Sequence, residues 1–308
     1  LKITHYVKKE LSGLFVSTLE LANSEMKQGH EVTMRNPSDG NTFHGIMTDP
    51  DIELVHSQLP YESYFNDKPR GMWMHGEPLS SVGNGVSMKA IVDLAPKMDF
   101  FVAMRKEEMP IWNSIKKTYL VPKGIDLDRF YPMEGVTERL SGEPAILYIE
   151  NWRGQRNPLY LCVAMQEVWK KYPKARLHLY NCNNEKMQKT FHALADNNKW
   201  WPFLRSIKGY EKDVNMLYNR VDMVVSCLYP LYARGIEAFG AGKAFIGPGY
   251  NEHDNYPWKC ELQPESMASA IIDCWANYDK IDYRVWAEDH HDVDETVRQS
   301  VGIYERYI

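Results

Sequence analysis

The sequence predicts an α/β fold built on two successive parallel sheets. Two observations carry this. Short apolar, β-rich runs alternate with helix-period segments along nearly the whole chain, and a stretch rich in Gly, Pro, Glu and Ser, 133–144, interrupts the alternation near the middle. Alternating strands and helices give parallel strands joined by crossover helices, so two such sets predict two Rossmann-like domains facing each other across a cleft. A length of 308 residues suits two cores better than one. The expected division is 1–132, a linker at 133–144, and 145–282, with 283–308 forming two further helices that pack back toward the N-terminal domain.

In the first half, strands are expected at Leu1–Val7, Glu31–Met34, Ile52–Ser57, Gly71–Met74, Phe100–Met104 and Tyr119–Val121. Between the first two, Phe15, Leu19, Ala22 and Met26 recur at helical spacing, and Gly29 closes that helix. In the second half, strands are expected at Ala145–Ile149, Ala175–Tyr180, Leu204–Lys208, Met223–Cys227 and Ala244–Ile246. Helices at Leu159–Lys171, Glu185–Ala195, Asp213–Tyr218 and Gly235–Ala241 separate them. Neither a solenoid repeat nor a low-complexity tract is present.

Composition excludes several classes. Lys plus Arg number 36 and Asp plus Glu 41, a net charge of -5; through Pro132 the counts are 15 and 17, and beyond it 21 and 24. Neither half is a basic module, which disfavours nucleic acid as a non-specific partner while leaving room for a local basic groove. The five cysteines are widely spaced with no CxxC pair, against a zinc ribbon or disulfide scaffold and in favour of a reducing, cytoplasmic setting. Cys162 and Cys227 lie in apolar segments and read as small core residues. No run has the apolar length to span a bilayer and the N-terminus lacks a signal-peptide pattern, so a soluble protein is expected, with peripheral membrane contact still compatible.

The segment Arg234–Gly249, RGIEAFGAGKAFIGPG, sets a lone acid, Glu237, in a small-residue helix that runs into an apolar strand. Backbone N–H groups at a helix N-terminus attract phosphate, small residues such as Gly235 let a ligand come close, and a carboxylate one turn in can accept bonds from a ribose diol. The alternative is a tightly packed strand–helix–strand corner in which Glu237 only complements the helix dipole. The residues alone leave both open.

YLVPKGIDLDRFYP, at 119–132, resembles the hinge-proximal signature of retaining GT-B glycosyltransferases of the family-four type, with Lys123 in place of the usual Asn. Other landmarks follow in the family's order: the glycine turn Ser12-Gly13-Leu14, QGHEVTM, DIELVHSQ and MHGEP in the first half, then ILYIENWRGQRNP, LHLYN, IKGY and RGIEAFGAGKAFIG in the second. The resemblance covers nearly the whole chain. It implies transfer of a sugar, a hexose by expectation, from a nucleotide-diphosphate donor to a hydroxyl acceptor on a glycan, a lipid-linked chain or a small molecule, with retention of configuration. No bound cofactor or metal is implied; the nucleotide-sugar is a co-substrate, with UDP the expected base.

Carried over by position, the resemblance implies that Glu237 binds the ribose, that Gly13 keeps the first loop close to the diphosphate, and that Arg156, with Arg153 as a second candidate, neutralises the leaving group. It places His75 at the donor sugar, so His75 and Arg156 are the expected catalytic residues. Lys208, Tyr229, Arg234 and Gly235 complete the expected donor site. One departure stands out: the family carries two glutamates seven residues apart, and the first position here is Tyr229. Sugar recognition then falls to Tyr229, Tyr232, Arg234 or backbone groups, or transfer has been lost. Two alternatives follow: a phage-type glucosyltransferase acting on a hydroxylated DNA base, and a catalytically idle nucleotide-sugar-binding protein.

Other motifs are set aside. Asp126-Leu127-Asp128 spells a metal-binding Asp-x-Asp but lies inside the hinge-proximal signature, where Asp126 reads as a turn cap. His290-His291-Asp292 and His253-Asp254 have no partners at metal-site spacing and read as solvated loops. Trp200, Trp201 and the Gly83-Asn84-Gly85 turn read equally as acceptor surface or as packing and turn chemistry.

Overall fold

Strands that are apolar on both faces need cover on both, and the computed structural model shows how the chain supplies it. It describes residues 1–7, 13–37, 41–45, 49–56, 67–75, 88–150, 152, 158–182, 184–209, 211–227, 233–249 and 256–308, with the backbone only at 88–90 and 233. The chain divides into two units, 1–126 with 291–308, and 127–290.

The first unit holds β1 (Lys2–Tyr6), α1 (Gly13–Lys27), β2 (Glu31–Arg35), β3 (Thr42–Gly45), β4 (Ile52–His56), β5 (Arg70–Met74), α2 (Met88–Leu94), β6 (Phe100–Ala103), α3 (Met109–Asn113) and β7 (Thr118–Leu120). Its sheet runs β3-β2-β1-β4-β5-β6-β7. All pairings are parallel except the edge pair β2–β3. Leu54 and Val55 are both fully buried, on opposite faces. Leu54 joins Ile3, Trp73 and Val102 under α1 and the chain's last helix; Val55 joins Met72, Phe101 and Trp112 on the other side. Helix α1 forms on the expected stripe and stops where Gly29 takes φ +89, a backbone region that glycine enters at little cost.

The second unit holds β8 (Ala145–Ile149), α4 (Leu159–Lys171), β9 (Arg176–Tyr180), α5 (Glu185–Asn197), β10 (Leu204–Ile207), α6 (Val214–Asn219), β11 (Met223–Val225), α7 (Ala233–Gly240), β12 (Ala244–Pro248), β13 (Trp258–Cys260), α8 (Pro264–Ala276) and α9 (Tyr283–His291). Its sheet, β10-β9-β8-β11-β12-β13, is parallel throughout. The side chains of Asn184 and Asp213 cap α5 and α6 by accepting from the N–H groups of Met187 and Met216.

The division differs from the sequence expectation in two places. The chain leaves the first unit after Asp126 rather than Pro132, and 133–144 is bonded into the second unit: Met133 N–H donates to Asn219 Oδ1, Leu140 N–H to the Arg220 carbonyl and Glu143 N–H to that of Lys174. The tail also splits, α9 lying mostly in the second unit and α10 (Val293–Tyr304) in the first, where Val297 and Tyr304 pack under β1 and β5. His290-His291-Asp292 is accordingly no solvated loop. His291 Nδ1 meets the Lys123 carbonyl at 2.9 Å, and Asp292 caps α10 and bridges Ile125. Among the described residues no helix is long and apolar enough to cross a membrane.

Candidate functional site

In open parallel sheets ligands collect outside the carboxyl ends of the strands, at the point where strand order reverses. Each unit has such a point, β1 beside β4 in the first and β8 beside β11 in the second.

In the first unit that point is crossed by a line of histidines. His5 on β1 pairs in register with Leu54 on β4, so His56, two residues on, shares its face one pleat nearer the carboxyl edge. His56 in turn pairs with Trp73 on β5, and His75 stands one pleat further on the same face. The result is a staircase. His5 Nδ1 meets His56 Nε2 at 2.8 Å, and His56 Nδ1 meets His75 Nε2 at 2.8 Å. At the buried end His5 Nε2 lies 2.6 Å from Oε2 of Glu25 on α1. His5, His56 and Glu25 have no exposed surface, while His75 is half-buried. Burial, helped by Lys123 and His5, pushes His75 down to about 3; burial with its two histidine neighbours holds His56 well below its ordinary value. The indole of Trp73 stacks on His56 at 6.1 Å and tilts against His75 at 6.2 Å.

Lys123 donates to Ser17 Oγ at 2.7 Å, tying the 119–132 segment to the first turns of α1. Gly13, expected near the phosphates, is the exposed first residue of that helix. Among the described residues Lys123 is thus a cation of this wall, at the position where the resembled family has Asn.

In the second unit Glu237 sits in the middle of α7, 8% exposed. Its Oε2 accepts from Tyr218 on α6 at 2.7 Å and from the Arg234 guanidinium at 2.8 Å. Arg234 is pushed above its ordinary value by Glu237 first and also by Tyr218 and Glu150. Glu150 follows β8 directly and is 5% exposed; Ser226, just after β11, donates to its Oε1 at 3.2 Å. Two carboxylates and one guanidinium thus gather where strand order reverses, and Gly235 is buried beside them. Lys208 is exposed after β10 and keeps its backbone in bonds to Leu179 and Cys182. A surface hollow of about 410 Å³ between Arg129, Tyr131 and Lys212 does not include this cluster.

Arg153, Arg156, Tyr229 and Tyr232 lie outside the described residues, as do Asn151, His253-Asp254 and Gly83-Asn84-Gly85. Among the described residues no group of three or more His, Cys, Asp or Glu side chains is arranged to hold a metal ion. Sequence reasoning missed Glu25, His5 and His56. The signals were present: Glu25 stands on the buried stripe of α1 with Leu21 and Ala22, and three neighbouring strands carry a histidine at or near their carboxyl ends. Glu150 was visible only as a departure from the family pattern.

No family model and no curated protein matches the chain. Solved structures do. A sucrose-phosphate synthase from Thermosynechococcus elongatus superposes with a TM-score of 0.75 at 14% identity, over 99% of this chain and 98% of that one. A glycosyltransferase from Rickettsia africae gives 0.75 at 16%, over 99% and 98%. Anabaena HepE, solved in complex with UDP-glucose, gives 0.73 at 12%, over 99% of each chain. At these identities the likeness is one of fold, and the fold of this chain is GT-B, two parallel-sheet α/β units in succession.

Proposed function

We propose that this protein transfers a sugar from a nucleotide-diphosphate donor, UDP-linked by expectation, to a hydroxyl acceptor with retention of configuration. One observation carries the reading. Glu237 is a buried carboxylate on α7, oriented by Tyr218 and Arg234 beside the reversal point of a parallel sheet. A carboxylate fixed there accepts from the two hydroxyls of a ribose, and Arg234 supplies positive charge near the diphosphate. His75 of the first unit offers a neutral ring to a sugar hydroxyl, and Arg156 and Arg153 neutralise the departing diphosphate. The rate then comes from positioning and charge stabilisation. The resemblance of the 119–132 and 234–249 segments to retaining enzymes supports retention, and HepE, solved with UDP-glucose, supports the base.

The test is a thermal-shift panel of UDP, ADP, GDP and their sugars on the wild type and Glu237→Ala, since a ligand of the native state raises the melting temperature. A base-selective shift that disappears in the variant is expected; no shift with any nucleotide overturns the reading. Donor turnover with an acceptor library follows, and NMR of the product's anomeric proton decides retention. Binding without turnover would favour the idle sugar-binding alternative that Tyr229 suggests.

A further inference from the structure

We propose that a hollow of about 310 Å³ at the amino edge of the second sheet is a binding site for a phosphorylated small molecule, with Arg176 and Arg205 as the guanidinium pair that holds the phosphate. The inference draws nothing from the glycosyltransferase reading. The hollow lies wholly in the second unit, where Ser141, Gly142 and Glu143 lead into β8, Lys174 and Arg176 open β9, and Arg205 stands near the start of β10. Glu150 and Ser226 mark the opposite edge of the same sheet, about 16 Å away along the five residues of β8.

Guanidiniums gathered around one hollow repel each other unless an anion lies between them. Among the described residues neither Arg176 nor Arg205 forms an ion pair, and the hydrogen bonds of both run to main-chain carbonyls. Arg176 Nη1 donates to those of Pro173 and Ala175, each at 2.7 Å, and Arg205 Nη1 to that of Trp201 at 3.1 Å. Each guanidinium is thus anchored at one nitrogen and keeps further N–H groups for an oxyanion, which a phosphate accepts in a fork. Glu143 is the carboxylate of this wall, and Lys174 bonds it at 3.0 Å. Three cations against one carboxylate leave the lining two charges positive. Burial and then Arg205 push Arg176 below its ordinary value; burial does the same for His178, opposed by the Ser141 carbonyl and helped by Arg205 and Arg220. Both shifts report an excess of positive charge at this edge.

The backbone around the hollow is held in place. The register of β10 against β9 shifts at Arg205, with Leu204 opposite Leu177 and Ser206 opposite His178, and such an irregularity re-aims the side chain it carries. His178, 3% exposed, stands between Ser206 Oγ at 3.0 Å and the Ser141 carbonyl at 2.8 Å, which fixes the loop before β8. Gly142 takes φ +132, and a Cβ there would fall 2.9 Å from the Arg176 Cβ, so a glycine is what lets this loop lie on the arginine stem. The volume is at the small end of ligand sites, which run from about 300 Å³ upward, and it suits a phosphate carried on a few carbons rather than a nucleotide.

The test titrates inorganic phosphate and glycerol phosphate, each at constant ionic strength with chloride as the control, and follows the arginine Nε–H signals of 15N-labelled protein. The signals of Arg176 and Arg205 are expected to move and saturate with either phosphate. Movement that never saturates, or that chloride matches, is screening of exposed charge and overturns the site. A protein that takes inorganic phosphate and excludes glycerol phosphate would overturn the small-molecule ligand. Arg176→Gln, and Arg205→Gln at its exposed position, are each expected to weaken phosphate binding about tenfold, the scale of one charge-assisted hydrogen bond, while Arg234→Ala leaves it unchanged. Binding lost in Arg234→Ala and kept in Arg205→Gln would put the ion in the donor site and overturn the proposal. UDP affinity in Arg205→Gln is expected at the wild-type value, and equal losses of UDP and phosphate would mark one shared site or a damaged fold and overturn it as well. Saturable phosphate binding at these arginines without any nucleotide binding would support this site and overturn the transferase reading.

Discussion

Arg234 and Glu237 stand three residues apart on α7 and are joined at 2.8 Å, with the carboxylate almost wholly buried and the guanidinium reaching partly to solvent. The pair faces two ways. Inward, Tyr218 shares the same carboxylate oxygen; outward, Arg234 remains accessible to an anion.

This geometry separates stability from binding. Arg234→Ala leaves a buried carboxylate short of its charged partner, and a loss of about 1–3 kcal/mol is expected; Tyr218→Phe removes one neutral donor and is expected to cost about 1 kcal/mol. Nucleoside diphosphate affinity should follow a different order. Arg234→Ala is expected to weaken it at least tenfold and Tyr218→Phe only slightly. Urea unfolding and calorimetric titration with UDP check the two orders, and equal effects on affinity would remove the phosphate role from Arg234.

Gly124 and Gly302 make a controlled pair in the first unit. A Cβ on Gly124 would lie 2.5 Å from the Cα of Val293 and 2.6 Å from Thr296 Oγ1, where the 119–132 segment docks on α10. On Gly302, in the last turn of α10, it would meet nothing within 4 Å. Gly124→Ala is therefore expected to destabilise by about 1–3 kcal/mol, and Gly302→Ala to stabilise by up to about 1 kcal/mol through helix propensity. Thermal unfolding of both variants beside the wild type shows whether the contact or the propensity decides.

The five cysteines give a chemical check on the cores. All are free and buried, and burial raises every thiol, Cys260 and Cys274 to about 12. A thiol reagent attacks thiolate, so the native protein is expected to resist DTNB over hours and to release five equivalents in guanidinium. One fast equivalent in native buffer would mark a local opening around that cysteine.

How much of this was legible in the chain depended on burial. The central strands announced themselves because both faces are covered, which makes runs such as β6 and β8 apolar throughout. Two of the four edge strands did not: β3 is only half-buried and β13 has three residues, so neither needs a continuous apolar run. Helix α8 was overlooked despite Met267, Ala268, Ile271 and Cys274 on one buried stripe, because its start is marked by Pro264 rather than by a side-chain cap. Glu237 was legible as a lone acid among small residues. The histidine staircase was not, since it depends on the register between β1, β4 and β5, and a single chain does not state its register.

That staircase, with His178, sets the acid limit of the fold. His56, His75 and His178 are all held below the ordinary histidine value, each chiefly by burial; His178 lies between Ser206 Oγ at 3.0 Å and the Ser141 carbonyl at 2.8 Å. The sign follows from linkage. Below about 6.5 the unfolded chain binds protons at these positions that the folded protein does not, so stability falls as pH falls through the unfolded value, by up to about 1.4 kcal/mol per histidine for each pH unit. For His75 the loss continues until its folded value, about 3, is reached. Urea midpoints measured from pH 8 to pH 4 are expected to be level above 7 and to drop steeply below 6.5. His178→Gln, which keeps both neutral hydrogen-bonding roles, should make that slope shallower; a variant with the wild-type slope would remove His178 from the acid limit.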